Sequence, residues 1–248
     1  MLVLNGLGKS FGGLQALAGM DLTLQRGSVT GLIGPNGSGK TTTINLMSGV
    51  LTPTAGQITL DGQDLTAAKR HVIAQSGLVR TFQNLRLFGD RSVLDNVRIA
   101  QSIHCRGWMA RFGALPNAEE RALRAEAMQL LEQFGLTDRR RDPADALSYG
   151  EKKRLEMARA LAMRPAFLLL DEPAAGMNDV ETAWLEGIIA HIAARNIGIL
   201  LVEHHMKLVM GVCNRVAVLN FGRKIAEGTP TEVASDPGVI ESYLGKAA

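Results

Sequence analysis

The stretch Gly34-Pro35-Asn36-Gly37-Ser38-Gly39-Lys40-Thr41-Thr42 carries the spacing of a phosphate cradle, a glycine, four residues, then Gly-Lys-Thr. Glycines let successive backbone N–H groups curl around phosphate oxygens with no Cβ in the way. The segment Val29–Ile33 just before it reads as a strand. The segment Ile44–Val50 just after it reads as a helix, whose N-terminal dipole favours an anion. Lys40 supplies a point charge for the β- and γ-phosphates. Thr41 offers its hydroxyl to Mg²⁺, and Thr42 is placed for the nearby phosphates. Without that strand and helix the stretch would be an ordinary Gly-rich turn.

A second constellation is Phe167-Leu168-Leu169-Leu170-Asp171-Glu172-Pro173, four apolar residues followed by two carboxylates. Ligands of open parallel sheets bind beyond the carboxyl ends of the strands. Asp171 is therefore expected to face the Mg²⁺ held by Thr41. Glu172 is placed to polarise an attacking water as general base. Leu147-Ser148-Tyr149-Gly150-Glu151 precedes a helical stretch over Lys152–Met163, with Leu155, Ala158 and Leu161 on one face. Ser148 reads as its N-cap and Glu151 as the capping-box partner, and such a helix start is also an anion site.

These groups need a scaffold. Met20–Leu24 alternates apolar and polar residues as a half-buried strand, and Ile58–Leu60 with Asp61-Gly62 reads as strand and turn. From about Val93 to Leu136 the spacing turns helical, with Leu123, Met128, Leu131 and Phe134 at helix-face intervals. Phe167–Leu170 and Ile197–Val202 are solid apolar runs suited to parallel strands covered on both faces. Trp184–Ala194 between them reads as a crossover helix, and Val216–Leu219 with Lys224–Ala226 as a hairpin. The expected architecture is α/β. An antiparallel β-subdomain and a parallel core occupy about 1–90 and 165–248, with a helical subdomain inserted over about 91–164, all in one 248-residue domain.

Composition narrows the function class. At 46% hydrophobic and 21% charged, the chain has the makings of a buried core. No run approaches the roughly 20 apolar residues of a membrane-spanning helix, and no secretory signal opens the chain. The two cysteines stand far apart, Cys105 and Cys213, which fits neither a disulfide framework nor a metal pair and suits a reducing cytosol. A net charge of +3 is too small to argue for nucleic acid.

Taken together, these motifs resemble the ATP-binding cassette (ABC) ATPase family over nearly the whole chain. The family's signature is usually Leu-Ser-Gly-Gly-Gln. Here Tyr149 replaces its first glycine and Glu151 its glutamine, while Ser148 and Gly150 are kept. A carboxylate facing a phosphate would repel it. The resemblance implies a P-loop fold with a RecA-like core. It implies that ATP and Mg²⁺ are bound, with Gln83 as the Q-loop glutamine reaching the metal and water, and His204 as the switch histidine on the γ-phosphate. It makes Phe11 the aromatic that stacks on adenine; packing of the first sheet would be its plain alternative. His205 stands where the family often has aspartate. Asn178 replaces a common aspartate in the loop that crosses between subunits.

The strings Arg80-Thr81-Phe82-Gln83-Asn84, Pro173-Ala174-Ala175-Gly176-Met177-Asn178 and Val202-Glu203-His204-His205-Met206, with the C-terminal segment Gly222–Leu244, are similar to one subgroup. It is the ATPase of importers of branched-chain amino acids, short amides and urea. The resemblance implies a second ATPase subunit as partner, another copy or a sister ATPase in a heterodimer, with the signature serine (Ser148 here) of one subunit completing the site of the other. It also implies two transmembrane permease subunits and a solute-binding protein, with the chain lying peripherally on the cytoplasmic face of the inner membrane. Arg86-Leu87-Phe88 and Trp108–Phe112 are candidate docking surfaces, and Arg139-Arg140-Arg141 reads as a solvated charge run. Three other readings compete. An exporter or a lipid or polysaccharide transporter would use the same chemistry. A soluble ABC protein of translation or DNA repair would carry two cassettes, or a long coiled coil of which Thr42–Leu147 has no sustained heptads. A small-molecule P-loop kinase would have no use for the signature or His204.

Overall fold

The computed structural model describes residues 1–81, 86–104 and 117–244. It divides into two compact units, Met1–Arg80 with Ala166–Ala248, and Thr81–Pro165. Gln83, Cys105 and Trp108–Phe112 lie outside the described residues.

The first unit holds two sheets. The antiparallel one orders its strands β2-β1-β4-β5, from Leu2–Phe11 (β1), Leu14–Leu24 (β2), Ala55–Leu60 (β4) and Gln63–Asp64 (β5). Alternation along β2 buries Met20, Leu22 and Leu24, as the sequence pattern requires of a half-buried strand. The larger sheet runs β10-β9-β3-β8-β7-β6. Its members are Val29–Ile33 (β3), Leu78–Arg80 (β6), Phe167–Asp171 (β7), Gly198–Val202 (β8), Arg215–Asn220 (β9) and Arg223–Gly228 (β10). Strands β9, β3, β8, β7 and β6 pair in parallel, and β10 closes the edge as an antiparallel hairpin with β9.

Every residue of β3, β7 and β8 is buried, which is why Phe167–Leu170 and Ile199–Val202 read as unbroken apolar runs and not as alternating ones. Each buried Leu or Ile there contributes about 1.5–3 kcal/mol of transfer free energy. The first helix, Lys40–Met47 (α1), starts directly on the glycine loop, four residues before the apolar periodicity does. The β-branched Thr41–Thr43 hides that start in the sequence. Arg70–Gln75 (α2) precedes β6.

The helical unit contains Val93–Gln101 (α3), Asn117–Gln133 (α4) and Tyr149–Ala162 (α5). Ala127, Leu130, Leu131 and Phe134 form the buried face of α4 and its end, while Leu123 and Met128 are only half-buried. Leu155, Ala158 and Leu161 are buried along α5. Arg159 donates to the Arg86 carbonyl, and its guanidinium lies 5.2 Å from the Phe88 ring centroid. Asn96 brackets the same loop, accepting from the Phe88 N–H and donating to its carbonyl, both at 2.9 Å.

In the first unit the crossover helix spans Asp179–Ala194 (α6). It begins five residues before Trp184 because Asn178 and Glu181 form a capping box there. Met206–Val212 (α7), Pro230–Ala234 (α8) and Pro237–Leu244 (α9) complete the chain. Among the described residues no helix is long and apolar enough to cross a membrane.

Candidate nucleotide site

The glycine loop follows β3 and opens α1, as a phosphate cradle must. Gly34 has φ +149°, and a Cβ on it would sit 2.1 Å from the Leu219 carbonyl oxygen, so only glycine fits. Gly39 has φ +108° and caps α1 from a backbone conformation that other residues rarely adopt. Asn36, Gly37 and Thr41 are exposed and Thr42 is half-buried, while Ser38 and Lys40 are buried.

The Lys40 ammonium donates to the carbonyls of Gly34 at 2.7 Å and Pro35 at 3.0 Å. Burial lowers its pKa, and the nearby carboxylates of Glu172 and Asp171 oppose that shift. The Ser38 hydroxyl is buried with no hydrogen-bond partner among the described residues, an orphan polar atom at the floor of the cradle.

The ends of the neighbouring strands carry the other groups. Asp171 closes β7, is 6% exposed, and pairs through Oδ2 with the Arg80 guanidinium at 2.8 Å. Glu172 follows in a left-handed conformation, φ +47°, with its N–H donating to the Val202 carbonyl. That conformation costs a non-glycine residue about 1–3 kcal/mol and re-aims the side chain at the strand end. His204, past the end of β8, is exposed, with Nδ1 4.0 Å from Glu172 Oε1. Phe11 is 47% exposed, outside the buried core of the first sheet, with the Lys9 ammonium 5.2 Å from its ring centroid.

The first unit thus brings together the loop 34–42, Asp171, Glu172 and His204. In the second unit, Ser148 Oγ accepts from the Glu151 N–H at 3.3 Å, and Glu151 Oε2 accepts from the Ser148 N–H at 2.8 Å. That backbone hydrogen bond holds the Glu151 carboxyl below its ordinary range. Glu151 is therefore turned back into the cap. Tyr149 is half exposed, beneath the Lys153 ammonium. Asn178 is likewise spent on capping, its Oδ1 accepting from the Glu181 N–H at 3.0 Å.

Three residues escaped the sequence reading. Glu203 is wholly buried; its Oε1 accepts from the Ala174 N–H at 2.9 Å, and its Oε2 from the His204 and His205 N–H groups at 3.1 and 3.4 Å. The signal was present: an apolar strand ending in a carboxylate, the same pattern that singled out Asp171. Arg80 ends β6 and reaches Asp171, Asn45 and Ser48. Tyr243 of α9 is 43% exposed; desolvation raises its phenol pKa, and the Gly34 backbone opposes that shift.

Comparison with known proteins decides the family. A profile described as ABC transporter matches residues 17–175. The chain belongs to the ABC transporter family of ATPases. A second profile, described as branched-chain amino acid ATP-binding cassette transporter, matches residues 223–248 of this ABC ATPase. The chain is 41% identical to the high-affinity branched-chain amino acid transport ATP-binding protein BraF of Pseudomonas aeruginosa, covering all of this chain and 98% of BraF. It is 42% identical to the corresponding LivG of Escherichia coli, at the same coverage. Among solved structures it is similar to a nucleotide-free ATP-binding cassette of an ABC transporter, with TM-score 0.86, 30% identity and 99% of each chain covered. An ATP-binding cassette in its ADP conformation matches at TM-score 0.86 and 31% identity, again over 99% of each chain. As an ABC ATPase, the chain is a nucleotide-binding enzyme.

Proposed function

We propose that this chain is the ATP-hydrolysing subunit of an importer of branched-chain amino acids or related small amides, working on Mg-ATP. The observation that carries the chemistry is the gathering of Lys40, Asp171, Glu172 and His204 around one glycine loop. The solute class rests on the C-terminal profile match and on full-length similarity to BraF and LivG.

The residues fit the metal: a threonine hydroxyl in the first turn of α1 and a buried carboxylate at the end of β7 are the oxygen donors a hard cation takes. Thr41 and Asp171 would hold Mg²⁺, with Gln83 as a further ligand. The ion, when bound, supplies positive charge on the β- and γ-phosphate oxygens. Backbone N–H groups of residues 37–42 grip the phosphates, and Lys40 leaves the loop carbonyls for the γ-phosphate. Phe11 offers its exposed ring to adenine. Glu172 takes the proton from the attacking water while His204 donates to the γ-phosphate oxygen.

One chain supplies half of a site. Ser148 and Gly150 at the start of α5 are the anion-binding half and would cover the γ-phosphate of a second ATPase subunit. A two-fold dimer closes such an arrangement. Permease subunits in the membrane and a solute-binding protein complete the transporter, with this chain peripheral on the cytoplasmic face.

Glu172→Gln tests the chemistry. It should cut ATP turnover by about a hundredfold or more while ATP binding persists, and should trap an ATP-dependent dimer. Undiminished turnover removes the general-base role, and a monomer at saturating Mg-ATP removes the two-sided site. Copurification of the permeases, followed by ATP-driven uptake of leucine against urea, tests the solute class.

A further inference from the structure

Arg80 ends β6, which lies parallel to β7 with Arg80 opposite Leu169. Asp171 is two residues further along β7 and so shares a face with Leu169. The pairing brings a guanidinium to Asp171 across 91 residues of sequence, and both side chains are less than a tenth exposed. The guanidinium is also used on its other side: one nitrogen donates to Oδ2 of Asp171 at 2.8 Å, the other to Asn45 Oδ1 at 2.7 Å and Ser48 Oγ at 3.0 Å. Thr41, Asn45 and Ser48 are spaced four and three residues apart, so they share one face of α1. A single planar fork thus ties the helix face that carries Thr41 to the strand end that carries Asp171. Only arginine has that geometry.

We propose that Arg80 is a positioning residue of the metal site: it is the resident counter-ion of Asp171 and sets how strongly Mg²⁺ is held. This inference rests on the reading that Thr41 and Asp171 face Mg²⁺. A buried carboxylate without a counter-charge is costly. Arg80 meets that need when no metal is bound. It also withdraws part of the carboxylate's charge from any metal that arrives. Removing the guanidinium leaves Mg²⁺ as the available counter-charge, so stability becomes coupled to the metal.

The test measures Tm of the full chain with ADP, in EDTA and across a Mg²⁺ titration, for wild type and for Arg80→Gln. Arg80→Gln should lower Tm in EDTA by about 5 °C or more, and Mg²⁺ should recover a larger increment than in wild type, by about 3 °C. The Mg²⁺ concentration at half-effect should fall severalfold. Arg80→Lys, which keeps the charge, should give an increment closer to wild type. A Tm loss equal in EDTA and Mg²⁺ makes Arg80 merely structural and overturns the proposal, as does a Lys variant indistinguishable from Gln. If Arg80→Gln does not fold, Asn45→Ala decides: it removes one anchor and leaves the charge pair, so its Mg²⁺ increment should match wild type, and a changed increment counts against the proposal. A wild type whose Tm with ADP ignores Mg²⁺ removes the metal reading itself. A normal wild-type response with an unchanged variant removes only the role of Arg80.

Discussion

Replacing Glu203 by alanine removes the acceptor of three backbone N–H groups from a site with no solvent exposure. Two of those bonds, at 2.9 and 3.1 Å, are well made, and the third, at 3.4 Å, is marginal. A buried donor left unsatisfied costs about 1–3 kcal/mol, so stranding the first two costs about 2–6 kcal/mol. Relief from burying a carboxylate offsets part of this, which leaves a net loss of about 3 kcal/mol. Glutamine keeps one acceptor oxygen and turns its amide against the other donors. Glu203→Gln should therefore lose about half as much, near 1.5 kcal/mol. The functional effect should exceed the stability effect. Glu203 bonds to Ala174, two residues after Glu172, and to the backbone of His204, so it sets the separation of Glu172 and His204, the proposed general base and switch histidine. Loosening it should cut turnover by about ten- to a hundredfold with ATP affinity unchanged. Urea unfolding, ATP binding and steady-state hydrolysis of the two variants provide the check. Equal stability losses for Gln and Ala, or turnover intact in Glu203→Ala, would refute the reasoning.

Cys213 is buried, and burial first, then the charge of Glu203, pushes its thiol up to about 12. An acid whose folded pKa is raised favours the folded state below the unfolded value and loses that contribution as pH climbs from 9.0 to about 12. Alkaline unfolding of Cys213→Ala should be correspondingly less steep over that window; identical pH–stability curves would contradict the assignment. Asn178→Ala removes the cap of α6 and should cost about 1 kcal/mol by urea unfolding, with Asn178→Asp close to wild type. Equal losses in both would mean that the side chain serves something other than the cap.

The parts of the site that could be read from the sequence are those whose work is local. In the glycine loop each residue does its job within a few positions, so spacing alone specifies the geometry. Ser148 with Glu151, and Asn178 with Glu181, are partners three residues apart, each pair closing a capping box at its own helix start. Arg80 was illegible for the opposite reason. Its meaning depends on β6 lying beside β7 in one register, and no short-range pattern encodes that pairing. The start of α1 was missed because three threonines in a row suppress the helical signal that the loop itself imposes.

The strand order explains why so many charged groups converge. Strands β3, β8, β7 and β6 are consecutive neighbours, all parallel, so their carboxyl ends lie in one row. At roughly 4.8 Å between strands, four ends span about 15 Å, comparable to a triphosphate with its metal. Each strand interior is apolar, and each end releases a functional group: the glycine loop and Lys40 after β3, Glu203 and His204 after β8, Asp171 and Glu172 at β7, Arg80 at β6. Cations flank and carboxylates occupy the middle of the row. Burial of the strands on both faces fixes the row, and a buried strand cannot slip by one residue without exchanging its two faces. Precision at the site is in this sense inherited from the apolar runs behind it. The residues that then tune the site, Arg80 and Glu203, are the ones that tie one strand end to the next.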